Sequence, residues 1–222
     1  METMVPILLK GLWVSLKLFF FALLFALPLA LPVALGRMSR RKCWKIPLNW
    51  PIRLYLLIMR GTPLMLQLMV VYFGPTFAFG WKWPDIGAME GRFVAAIVAF
   101  SLNYAAYFAE IYRGGMESIP AGQYEAGQVL GMTRPQTFFR IILPQVVKRI
   151  LPACGNEFMT LVKDTALAMT IAVSDLMRKA ETIASRETSV MPFLVAGLFY
   201  LVVNLVVEQG FHLAERKLDY YR

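Results

Sequence analysis

The sequence predicts an all-α integral membrane protein of about five transmembrane helices, one domain over residues 1–222. Three observations predict it. Hydrophobic residues make up 58% of the 222, and they gather in blocks where a soluble domain would show amphipathic periods. Several blocks are uncharged and near the ~20 residues that carry a helix across ~30 Å of hydrocarbon. The basic residues collect in alternate loops between them.

The first uncharged block runs from Leu18 to Gly36. A cleaved signal peptide is the competing reading. The run is longer than a typical signal core, holds Pro28 and Pro32, and ends in basic residues instead of a small-residue cleavage site, so a retained helix is expected. The second and third blocks are Gly61 to Trp81 and Phe93 to Ala109. A fourth, Ile150 to Val173, is long enough but interrupted by Glu157, Lys163 and Asp164. The last runs from Thr188 to Val207.

Charge orients these spans. The loop after the first helix holds Arg37, Arg40, Arg41, Lys42, Lys45 and Arg53 with no acid among them. The loop after the second, Lys82 to Arg92, offsets its bases with Asp85 and Glu90. The loop after the third carries Arg113, Arg134, Arg140, Lys148 and Arg149. By the positive-inside rule the N-terminus is outside, and an odd number of crossings puts the tail with Arg216, Lys217 and Arg222 inside. The net charge of +9 is therefore topological. Nucleic-acid binding is not expected, because the bases flank spans and form no face interleaved with stacking aromatics.

Catalytic classes find no support. The chain has no G-x-x-x-x-G-K-[ST] phosphate loop, no nucleophile elbow and no metal-ligand spacing. Its two cysteines, Cys43 in a loop and Cys154 in the fourth helix, build no disulfide framework, and the lone His212 suits interfacial packing.

Residues 113–145 between the third and fourth spans read as a helix-turn-helix. Pro120 suits a first helical turn, Gly131 supplies a left-handed stop, and Thr133 with Gln136 forms a capping box for a second helix that Pro144 terminates or kinks. Gly122, Ala126 and Gly127 leave one face of the first helix nearly bare, open to close approach by a partner's backbone or by the chain's own helices.

The run Tyr124-Glu125-Ala126-Gly127-Gln128-Val129-Leu130-Gly131, followed after nine residues by Ile141-Ile142-Leu143-Pro144, resembles the cytoplasmic loop of ATP-binding-cassette (ABC) importer permeases. The family commonly has Ala where this chain has Gly127. Arg60-Gly61-Thr62-Pro63-Leu64, Ser101 to Glu110, Arg113-Gly114-Gly115, Ser118 to Gln123 and Leu161 to Leu167 resemble the polar amino-acid (histidine/glutamine/cystine-type) branch. Ala166 replaces a common Ser there. The resemblance implies the type I importer permease fold, with Pro120, Glu125, Ala126, Gly127, Gly131, Thr133, Leu143 and Pro144 docking a separate ABC ATPase. It also implies an external or periplasmic solute-binding protein, a second permease subunit, and a site in the bacterial cytoplasmic (inner) membrane. ATP and magnesium are expected on the partner ATPase and no cofactor in this chain.

The intramembrane polar residues are the candidate substrate contacts. Lys163 and Asp164 lie about fifteen residues above Lys148, ~22 Å up a helix and past the middle of the hydrocarbon. Ionisable groups at that depth mark pathways or pair with one another, and both readings stay open for this pair. Asp164 suits a substrate ammonium, while Asn103, Tyr104, Tyr107 and Gln67 offer hydrogen bonds from neighbouring helices. Glu157 belongs to the site or to an inner gate, and Thr165 joins the candidates from the fourth-helix motif. Glu110 and Arg113 read as a boundary pair, and Arg60 as a snorkelling side chain.

The function expected is the permease subunit of an ATP-driven polar amino-acid importer, embedded in membrane lipid. A same-fold permease for another small solute and a non-transporting scaffold or channel are the alternatives. The sequence leaves open which amino acid is carried, whether the dimer is homo- or heteromeric, and whether both subunits bind substrate.

Overall fold

The computed structural model describes residues 4–39, 42–43, 46–47 and 49–218. The expectations for Arg40, Arg41, Lys45 and Arg222, and for the thiol of Cys43, lie outside the described residues. Helix α1 is Met4–Met38, followed by a short antiparallel pair, β1 Lys42–Cys43 and β2 Ile46–Pro47. Then come α2 Asn49–Gly61, α3 Leu64–Phe79, α4 Gly91–Glu117, α5 Ala121–Val129 and α6 Arg134–Thr137. A π turn, Phe138–Ile142, leads into α7 Leu143–Asp164, which tightens to a 3-10 turn at Thr165–Ile171. Helices α8 Leu176–Glu187 and α9 Met191–Leu218 complete the described chain.

Helix α4 is the hub. Of its most apolar stretch 67% is buried, against 33% for α1 and 11% for α9, so the outer helices present their apolar surfaces to the surroundings. The α1–α4 contact follows from small residues: Ala22, Ala26, Ala30 and Ala34 fall at helical spacing and are fully buried. They share one buried cluster with Ala96, Ala99, Ala105, Ala106 and Ala109 of α4. Between membrane helices the association comes from close backbone approach, because lipid is as apolar as leucine. The opposite face of α1, with Leu24, Phe25, Leu31 and Leu35, stays exposed. At 35 residues α1 is ~52 Å long, so it begins well before the uncharged block and carries exposed Lys10 and Lys17 on its early turns.

Helices α1, α4 and α9 are long and apolar enough to cross a membrane among the described residues. Helices α2 and α3 meet at 111° and would count as one broken span. The break falls where Pro63 lacks an N–H and takes an extended ψ of 134°. Helix α7 supplies most of the interrupted fourth block, with Glu157, Lys163 and Asp164 inside it.

Of the two outcomes expected at Pro144, termination does not occur: a π turn precedes it and the chain continues into α7. Helix α8 was not anticipated at all. It is amphipathic, with Asp175 capping its N-terminus at 2.9 Å from the Arg178 amide and Leu176, Ala180, Ile183 and Ala184 buried.

Candidate translocation site and docking loop

Helix α4 offers one face through Tyr104, Tyr107 and Glu110, each about one turn below the last. The Tyr104 ring is 2% exposed and sits in a ladder with Phe100, Tyr107 and Phe108 at centroid separations of 6.5, 6.1 and 6.4 Å. Aromatic packing therefore fixes its hydroxyl, which donates to Asp164 Oδ2 at 2.7 Å. Asp164 is half-buried on the last turn of α7, where the helix narrows to a 3-10 turn. Among the described residues no hydrogen bond engages its other oxygen. Glu157 lies two turns below Asp164 on the same face of α7 and is also half-buried. Tyr104, Tyr107, Glu157 and Asp164 are thus brought into one strip.

The remaining candidates go elsewhere. Lys163 is exposed, and no ion pair with Asp164 is found among the described residues, since consecutive residues point ~100° apart around a helix. Asn103 and Gln67 hold the α2–α3 break together: the Asn103 amide donates to Met59 O and Gln67 Oε1, both at 2.9 Å. Gln67 donates in turn to Met59 O at 3.0 Å, Thr62 O at 3.1 Å and Thr62 Oγ1 at 2.8 Å. These bonds replace the ones the helices lose at Pro63. Thr165 is 1% exposed and donates to Val162 O at 2.7 Å, within the helix packing.

Arginines around Glu110 carry more than a boundary pair. Arg113 grips its Oε2 through Nε at 3.1 Å and Nη2 at 2.6 Å. Arg37 and Arg60 approach the same carboxylate to 3.7 and 3.9 Å. The Arg60 guanidinium lies over the Tyr107 ring at 5.4 Å. Their sequence separation, from 37 to 113, hides this convergence.

The loop is a braced hairpin. Pro120 caps α5 from the position before its first turn, and Gly131 follows with φ +71°. Thr133 and Gln136 make both bonds of the capping box. Gly127 is buried against the chain itself: a Cβ there would come within 2.6 Å of Thr137. Gly122 faces open space. Ile119, Ile142 and Val146 form a small apolar core beneath the hairpin. Arg149 donates to Ser118 O, and the Gln145 amide to Gln123 Oε1 at 3.2 Å, tying α5 to α7. Glu125, Ala126, Tyr124, Val129 and Leu130 remain exposed, Val129 by 88% and Leu130 by 73%. Leu143 is half-buried and Pro144 exposed where α7 begins. Exposed apolar residues on a rigid hairpin are what a protein partner covers.

A family model described as "binding-protein-dependent transport system inner membrane component" matches residues 26–220. The L-cystine transport system permease protein TcyB of Bacillus subtilis (strain 168) is 37% identical over 218 residues, covering 97% of this chain and 88% of that protein. The arginine transport system permease protein ArtQ of the same organism is 37% identical over 215 residues, covering 96% and 93%. A crystal structure of an amino acid ABC transporter with histidines superposes with a TM-score of 0.85 at 35% identity, covering 98% of this chain and 96% of that one. The MetNI methionine ABC transporter, inward-facing, has the same fold at a TM-score of 0.74 and 18% identity.

Proposed function

Because this chain belongs to the binding-protein-dependent transport system inner membrane component family, and is a permease subunit of an amino-acid ABC importer, we propose that the Tyr104–Asp164 pair contacts the solute it carries. The observation behind this is a carboxylate with one oxygen held by a buried, ring-locked phenol and, among the described residues, the other unengaged. A zwitterionic amino acid brings an ammonium that needs such an acceptor. Tyr107 and Glu157 extend the polar strip along which the solute leaves. Asn103, Gln67 and Thr165 act on the path through helix geometry, because their polar atoms bond to the chain itself.

The same reading assigns the hairpin at 118–145 to an ABC ATPase, which binds the ATP and magnesium that this chain has no loop to hold. Tyr124, Glu125, Ala126, Val129 and Leu130 form the seat; Gly127, Gly131, Thr133 and Pro144 shape it. A second permease subunit completes the path, and a binding protein delivers a polar amino acid on the side opposite the hairpin. The N-terminus lies outside and the hairpin and C-terminus inside, in a bacterial inner membrane.

The test compares Asp164→Asn, Tyr104→Phe and the double mutant Asp164→Asn/Lys163→Met in the complete importer. A charge-assisted hydrogen bond contributes roughly 1.5–3 kcal/mol, so Asp164→Asn is expected to weaken solute affinity inside the permease about tenfold to a hundredfold. Capture by the separate binding protein stays unchanged. Tyr104→Phe shifts affinity less and in the same direction. Restored transport in the double mutant would show that Asp164 serves only to neutralise Lys163, and would reject the contact.

A further inference from the structure

At the predicted cytoplasmic ends of α1, α2 and α4, Arg37, Arg53 and Arg60 converge on an open cavity of ≈490 Å³, with Leu57, Tyr107 and Glu110 also in its walls. Glu110 is the acid in this lining, and Arg113 already grips it at 2.6 Å from outside the cavity. The longer approaches of Arg37 and Arg60, 3.7 and 3.9 Å, leave those guanidinium forks unsatisfied by it. The Arg60 guanidinium lies over the Tyr107 ring. The cavity therefore carries surplus positive charge in forks whose geometry suits phosphate oxygens.

Helix α2 supplies the second half of the argument. Its 13 residues reach ~20 Å, too short to span, and it leaves the direction of α3 by 111°. Its exposed residues include Trp50 at 59%, Leu54 at 44%, Leu57 at 70% and Ile58 at 47%. Arginines beside exposed leucine and tryptophan on one short helix are the make-up of a helix lying in the membrane interface. Leu57 lies at the cavity itself, so whatever anion enters must also cover apolar surface. On the other flank of α2, Leu29, Val33, Ile52, Tyr55 and Leu102 wall a groove of ≈350 Å³ suited to an acyl chain. Inorganic phosphate or a soluble nucleotide has no use for either apolar surface.

We propose that the Arg37–Arg53–Arg60 cavity binds the phosphate headgroup of an anionic inner-leaflet phospholipid, with its acyl chains against Leu57 and the neighbouring apolar surface. Anionic lipid on that leaflet attracts juxtamembrane arginines, and basic pockets between helices on that side select such headgroups. Bound there, the lipid clamps α2 to α1 and α4 beside the α2–α3 break. The cavity shares Tyr107 with the proposed solute path, and solute affinity measured without anionic lipid tells the two roles apart.

The experiment uses the complete importer in nanodiscs of phosphatidylcholine with about one-third phosphatidylglycerol, the retained lipids being identified by native mass spectrometry. The intact complex is expected to retain phosphatidylglycerol over phosphatidylcholine. Arg53→Gln, a change at an exposed side chain, is expected to reduce that preference about fivefold, and Arg37→Gln/Arg53→Gln more. Arg53→Lys keeps most of it, and millimolar inorganic phosphate does not displace the lipid. Equal retention of both lipids by the unaltered complex overturns the proposal whatever the variants do. So does an unchanged preference in Arg53→Gln, or displacement by inorganic phosphate. A solute-affinity change in Arg53→Gln in pure phosphatidylcholine reassigns the cavity to the solute and also overturns it.

Discussion

The docking hairpin and the intramembrane polar strip are joined by α7, yet they were built by different rules. Each turn of the hairpin is specified within a few residues: Gly131 supplies a left-handed φ of +71°, and Thr133 and Gln136 cap each other. The strip is specified by nothing local. Tyr104 and Asp164 meet across 60 residues only because α4 and α7 cross at that height, and an aromatic ladder holds the phenol still. Under the proposed function, short-range chemistry shapes the seat for a partner, and long-range packing builds the contact for a solute. The contrast teaches that mutations in the hairpin should act through local conformation, and those in the strip through affinity.

The hardest blow to that contrast is Gly127→Val. The new Cβ would fall within 2.6 Å of Thr137, a stiff β-branched side chain that is 3% exposed and bonded to Thr133 O at 3.2 Å. That side chain cannot yield cheaply, so overpacking costs ~1–3 kcal/mol and unseats α5 from α6. Co-purification of the ATPase and uptake are expected to collapse, while membrane insertion and solute affinity in the permease persist. Normal ATPase retention would mean the hairpin tolerates a melted turn and is not the seat.

Legibility followed the same division. The capping box, the left-handed Gly131 and the uncharged spans could be read directly, because each depends on residues within about one turn or on a continuous run. Asn103 and Gln67 were read as solute contacts from their polarity in an apolar run. Their partners, Met59 O and Thr62, are carbonyls and a hydroxyl freed by a bend that composition does not reveal. Gly127 illustrates the limit from the other side: its missing Cβ was visible, but whether the close neighbour was a partner or Thr137 depended on how α6 folds back on α5. Helix α8 was legible but missed: Leu176, Ala180, Ile183 and Ala184 fall at helical spacing behind Asp175, an N-cap residue, and only the burial of Asp175 carries no sequence signal.

Asp175 gives a smaller, pH-dependent test from a region that is neither hairpin nor strip. It lies outside the spans, between the 3-10 turn and α8, and is fully buried, its carbonyl facing Gly11 of α1 while the next amide, of Leu176, donates to Ser15 Oγ at 3.2 Å. Burial pushes its carboxyl up to about 7, against the bonds from the Arg178 and Met177 amides and the Arg178 charge. In the unfolded chain an Asp titrates near ~3.9. The folded state therefore binds the proton more tightly, so this contribution is full below about pH 4 and is lost as pH rises through about 7. Thermal stability of the subunit is expected to fall between pH 5 and pH 8, and Asp175→Asn, which still accepts the Arg178 amide, to flatten that fall. A stability that rises with pH across this window refutes the burial argument.

Gly122→Ala has the smallest expected effect and separates the two meanings of a bare helix face. Nothing in the chain lies within 4 Å of the position where the Cβ would go, so no internal neighbour has to move. Gly122 is the second residue of α5, so alanine gains less than the about 1 kcal/mol it has over glycine in a helix interior, and the isolated subunit should become slightly more stable. If the ATPase lays backbone against this face of α5, the added methyl group blocks that approach, and co-purification weakens while stability improves. If the face is merely solvated, both stability and ATPase retention improve or stay level. Opposite signs in the two measurements would place the partner on the Gly122 side of α5. Parallel signs would leave docking to Tyr124, Val129 and Leu130, whose exposed side chains then carry the contact without help from the glycine.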